Sequence, residues 1–204
     1  ISFLGANPSD LLGLDPPPGT QWEDGDGYIN SGADSTYESL DRRKATREIL
    51  EYFDLNDDDT LDDEDCPPFD LRITGYSWGG WTALEVAHNL SVHSDIESPS
   101  TNLEIVIGLV DPVNTGRRRF VGRKPRGRNP SPRTEVGSRP PSAIFFVSYY
   151  EELGFDFPGG GAFSGISIDG TDEGGLVSDT DHIAIIESHG SQVADQVFNY
   201  QSSN

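Results

Sequence analysis

The stretch FDLRITGYSWGGWTALEVAHNL, residues 69–90, decides how this chain folds. Phe69 to Tyr76 reads as a strand, Trp81 to Leu90 is apolar and rich in helix formers, and between them run Gly75, Tyr76, Ser77, Trp78 and Gly79. So tight a turn from strand to helix leaves no room for side chains at its flanks, which explains the glycines, and it forces the serine into a strained backbone conformation. The Ser77 hydroxyl then stands above the end of the strand. Beside it lie the Trp78 amide and the start of the helix, where an oxyanion can be held. A glycine-rich turn without chemistry is the competing reading.

Working outward, Leu103 to Val110 (LEIVIGLV) and residues 142–150 (SAIFFVSYY) are continuous apolar runs of strand length and read as buried parallel strands. ISFLGAN, residues 1–7, adds a fourth strand. Residues 41–53 carry Ala45, Ile49, Leu50 and Phe53 at helical spacing, and residues 191–200 carry Val193, Val197 and Tyr200 on one side. Strands and helices alternate. The expected fold is therefore α/β, a three-layer α/β/α sandwich around a small, mainly parallel sheet, with residues 1–204 as a single domain.

Composition agrees with one folded body. The 204 residues suffice for a core, and although a net charge of -21 would permit disorder, the 10% aromatic content and the apolar runs argue against it. No run approaches the roughly 18 apolar residues that cross a bilayer, which excludes a membrane span. The single cysteine, Cys66, cannot form an internal disulfide or by itself a thiolate zinc site. The chain begins at Ile1 and contains no methionine, so a natural start lying upstream, a removed signal segment and a secreted, extracellular location are expected. The acidity also suits a high-salt habitat.

Nine of the 14 basic residues fall between Arg117 and Arg139, against a single acid, Glu135. The surrounding segment, 116–141, is rich in glycine, proline and arginine and lies between two strands, so it reads as a flexible excursion within the domain. It either rests on the protein's own acidic surface or reaches a partner. The acidic remainder argues against nucleic acid.

A serine hydroxyl needs a base to become a nucleophile. His88 lies in the helix after the turn and His93 just past it, and both read as surface or packing residues. His182, in DTDHIAII, follows the glycine-rich segment 158–175 and suits a loop returning over the strand ends, whereas His189 reads as a turn or helix-start residue. The base in turn needs an acid to fix its tautomer. Asp111 ends the strand LEIVIGLV ahead of Pro112, at the same sheet edge as Ser77, although Asp-Pro can also be a plain turn starter. Glu151, Glu152 and Asp156, after the next strand, compete for the role.

The chain order Ser77, Asp111, His182 around Gly-Tyr-Ser-Trp-Gly resembles the α/β-hydrolase superfamily across most of the sequence. IGLVDPV looks like the Leu-Asp-Pro stretch of pancreatic-type lipases, which place the acid one strand earlier than most members. The resemblance implies a reduced hydrolase fold, a lid-like insertion at 116–141, and an oxyanion hole formed by the Trp78 amide with a second amide early in the chain, within Gly5 to Asn7, with Gly5 and Ala6 the first candidates. The family's His-Gly-Gly-Gly sequence is absent, and the chain is short for the family. The activity implied is a serine hydrolase acting on small carboxylic esters or thioesters through an acyl-enzyme, with no cofactor required. The polar segment 116–141 lacks the apolar face of an interfacial lipase lid. A catalytically silent hydrolase-like binding module is the alternative, since this scaffold hosts both.

Residues 54–65 (DLNDDDTLDDED) resemble a calcium loop of the EF-hand or dockerin type. Asp54, Asn56, Asp58, Asp62 and Asp65 would supply side-chain oxygens and Thr60 its carbonyl to a structural Ca2+. Asp59 stands where the pattern has glycine, Asp65 where it has glutamate, and Pro67 and Pro68 deny the loop an exit helix. A solvated acidic loop is the other reading.

Overall fold

The computed structural model describes residues 1–3, 5, 33–37, 42–113, 137–153, 155–156, 162–163 and 165–201. Strands β1 (Ser2–Phe3) and β2 (Thr36–Tyr37) precede helix α1 (Arg42–Phe53). Then come β3 (Phe69–Tyr76), α2 (Ser77–Leu90), the short α3 (Pro99–Asn102), β4 (Leu103–Val110) and β5 (Ala143–Tyr150). A two-stranded antiparallel pair, β6 (Phe155–Asp156) with β7 (Ala162–Phe163), lies before β8 (Glu173–Leu176) and the final helix α4 (His182–Phe198).

Among the described residues the main sheet has six strands in the order β2-β1-β3-β4-β5-β8, and every neighbouring pair is parallel. At its centre β3 and β4 run in register from Phe69 opposite Leu103 to Tyr76 opposite Val110. An apolar run without alternation suits a strand covered on both faces, and β4 is buried along nearly its whole length. Ile105, Ile107 and Leu109 face a core completed by Ala45 and Ile49 of α1 and Ala83, Leu84 and Leu90 of α2. Val106 and Val110 face the opposite core, with Val147 of β5 and Ile185, Val193 and Val197 of α4. Gly108 lets α4 come close, because a Cβ there would lie 2.5 Å from both Val193 and Val197. The result is the expected three-layer α/β/α arrangement.

Three sequence expectations need adjustment. The sheet gains two strands, β2 and β8, that show no apolar run. The last helix starts at His182 rather than at residue 191, because Asp181 caps it by accepting from the Ile183 and Ala184 amides at 3.0 and 2.8 Å. His182 is thus the first helical residue, not part of a loop, and His189 lies inside the helix. Residues 114–136, most of the basic excursion, lie outside the described residues. Arg139, its last arginine, pairs with the protein's own Asp172 at 2.7 Å. No helix among the described residues is long and apolar enough to cross a membrane.

Candidate active site

In a parallel sheet every strand ends on the same edge, so the residues that follow the strands collect there. Gly5 comes just after β1, Ser77 directly after β3, Asp111 directly after β4 and Glu151 directly after β5. His182 is delivered to that edge by the start of α4. The structure brings Ser77, Asp111 and His182 together although they are far apart in the chain.

Ser77 sits at φ 56°, in the left-handed region, at the junction of strand and helix. The turn is closed by backbone. A Cβ on Gly75 would lie 2.7 Å from Gly80 Cα and 2.8 Å from Gly79 O, so no side chain fits there. The Ser77 carbonyl accepts from the Val113 amide at 2.9 Å, which ties the turn to the segment after β4. Ser77 Oγ lies 2.8 Å from His182 Nε2.

The other ring nitrogen, Nδ1, is hydrogen-bonded to Asp111 Oδ2. Asp111 is fully buried and also left-handed, at φ 48°. Its Oδ1 accepts from the Glu151 amide at 3.0 Å, and its own amide donates to the Tyr149 carbonyl at 2.7 Å. A Cβ on Gly165 would overlap Asp111 Oδ1, so this residue has to be glycine for the carboxylate to keep its place. With Nδ1–H given to the carboxylate, Nε2 is left with its lone pair toward the serine, the tautomer a general base requires.

Tyr76, the residue before Ser77, holds His182 in place. Its ring stacks on the His182 imidazole, with centroids 4.9 Å apart and 23° between planes, and its hydroxyl donates to the His182 carbonyl at 2.6 Å. The imidazole is therefore held from its face, from Nδ1 and through its own backbone. Buried tyrosines need a partner for their hydroxyl, and this one finds it on the residue it stacks against.

The first amides of α2, Trp78 among them, have no acceptor within the helix and point toward the serine end. Gly5 lies against the turn, since a Cβ there would be 3.0 Å from the Tyr76 ring and 3.4 Å from Ser77 Cβ. Ala6 lies outside the described residues. His88 Nε2 is bound to the Ser138 carbonyl at 2.7 Å, and His93 lies beside Asp95. His189 packs on the Tyr149 ring at 4.6 Å, and burial lowers its pKa against a smaller opposing effect of the Ile185 carbonyl. Of the competing acids Glu152 is exposed, whereas Glu151 is buried beside Asp111.

The acidic loop folds on itself. Asp54 accepts from the Asp58 and Asp59 amides at 3.2 and 2.9 Å, Asn56 from the Asp58 amide at 3.0 Å, and Asp58 from the Thr60 amide at 2.9 Å. Asp62 accepts from the Glu64 amide at 2.8 Å, and the buried Asp65 from the Leu55 and Asp62 amides at 2.7 and 3.2 Å. A 3₁₀ turn over Asp63–Asp65 stands where an exit helix would begin. Among the described residues the group of acidic and imidazole ligand atoms gathered within 4.8 Å of one another is Asp111, Glu151 and His182, not this loop. Both ring nitrogens of His182 already face Asp111 and Ser77.

Compared with protein-family models and with curated proteins, the chain matches none. The class that can be stated is a small α/β protein with an all-parallel sheet and a serine, a histidine and an aspartate joined at its carboxyl edge.

Proposed function

We propose that this protein is a serine hydrolase of the α/β-hydrolase type, cleaving small carboxylic esters or thioesters through an acyl-enzyme. The observation that carries the reading is the continuous contact from Ser77 Oγ through His182 to Asp111, formed by residues that follow separate strands. Chance convergence would not also supply the strained serine, the glycine-walled turn and the buried acid.

Ser77 Oγ attacks the substrate carbonyl carbon while His182 Nε2 takes its proton. The Asp111 carboxylate holds the Nδ1–H and stabilises the imidazolium that results. The developing oxyanion lies beside the Trp78 amide and the backbone at Gly5, and one such donor is worth about 10²–10³ in rate. His182 then gives its proton to the leaving alkoxide or thiolate. A water molecule, deprotonated by His182, attacks the acyl-enzyme, and the returned proton restores the Ser77 hydroxyl. Each proton has a station on these side chains, so the reaction calls for no organic cofactor. The polar make-up of residues 116–141 favours soluble esters over lipid droplets.

Stopped-flow hydrolysis of p-nitrophenyl acetate tests the reading. The natural chain should release a burst of nitrophenol stoichiometric with enzyme, and Ser77→Ala should release none. A folded natural chain with neither burst nor turnover would leave the silent binding module as the better account.

A further inference from the structure

Two acids, not one, lie close to the histidine. Asp111 follows β4 and Glu151 follows β5, and both are 0% exposed. The Glu151 amide donates to Asp111 Oδ1. One carboxylate oxygen of each acid and one ring nitrogen of His182 lie within 4.8 Å of one another. Removing a carboxyl from water is costly unless donors or a cation face it, and the next residue, Glu152, is exposed. Here the neighbouring group whose charge changes during acyl transfer is the His182 imidazole.

Resting on the serine-hydrolase reading, we propose that Glu151 is a second positioning acid for His182. Its carboxyl adds to the field that stabilises the imidazolium, and it accepts the Nδ1–H when Asp111 is removed. The β4 and β5 ends thus hold a pair of acids around one base. The backbone at Gly165, which bears directly on Asp111, helps to keep that pair walled off.

The natural chain, Asp111→Gly, Glu151→Gln and the double variant are compared in two measurements. One is kcat/KM on p-nitrophenyl acetate and the other is the downfield proton resonance of a hydrogen-bonded imidazole Nδ1–H. Glycine at position 111 suits φ 48° and vacates the space around Nδ1. Asp111→Gly should keep kcat/KM at least about tenfold above the double variant, whose loss should reach the ~10⁴-fold typical of a triad without its acid. Asp111→Gly should also keep a downfield resonance that the double variant lacks. Equal activity in the two, with no such resonance in either, overturns the proposal. If Asp111→Gly does not fold, Glu151→Gln decides: a severalfold lower kcat at unchanged KM supports the role, and a kcat equal to the natural chain's overturns it. A folded natural chain without Ser77-dependent turnover sinks the hydrolase reading and this proposal with it. Ser77-dependent turnover without any Glu151 effect sinks the proposal alone.

Discussion

Two regions of this molecule each hold a pair of non-glycine residues in the left-handed region. At the sheet edge Ser77 and Asp111 have φ 56° and 48°, and in the acidic loop Asp57 and Asp59 have φ 61° and 65°. The backbone angles are alike, but the surroundings differ. The Ser77 turn is locked between β3 and α2 by backbone that admits no side chain at Gly75, and Asp111 has no exposed surface. The acidic loop is exposed and closes through bonds between its own carboxylates and amides. Local strain is thus shared by both regions and cannot distinguish them. Convergence of side chains from distant parts of the chain occurs at the sheet edge alone of the two, and it is what makes that region a candidate for chemistry.

Relieving the strain in each region separates their roles. Ser77→Gly should lower kcat by about 10⁶-fold, as loss of a serine nucleophile does. The same substitution should raise the unfolding free energy by about 1 kcal/mol, because glycine adopts φ 56° without cost. A stability loss in denaturant titration would show that the serine is not held against its preference. Gly75→Ala pushes a methyl against backbone at Gly79 and Gly80 that cannot yield, and should cost about 3 kcal/mol with activity falling alongside. An alanine variant as stable as the natural chain would mean that the turn is looser than described. The smallest effect belongs to the acidic loop. Asp59→Gly should stabilise by no more than about 1 kcal/mol and leave ester turnover unchanged, and altered turnover would tie the loop to the site.

The turn at Ser77 was legible in the sequence because its constraint is local: a buried strand, glycines where backbone packs on backbone, and a helix at once after it. Asp111 was legible for a similar reason, since an acid ending an apolar strand can only lie at the carboxyl edge. The start of α4 was not. Ser188, Gly190 and Ser191 interrupt the helical pattern, and Gly190 is buried inside the helix. Strand β8 has no pattern at all. Gly174 is there because the chain runs hard against β5, where a Cβ would overlap the Ser148 carbonyl, whereas Gly175 has open space around it and a φ of 128°. Tyr76 carries no local mark of its place beside His182, because that place depends on which residues the fold sets next to it.

The most direct test of the central claim is to treat the folded protein with a fluorophosphonate and map the adduct by peptide mass spectrometry. The account predicts one covalent adduct, on Ser77, absent in Ser77→Ala and formed about 10³-fold or more slowly in His182→Ala. A folded protein that takes no adduct, or takes it on another residue, would contradict it.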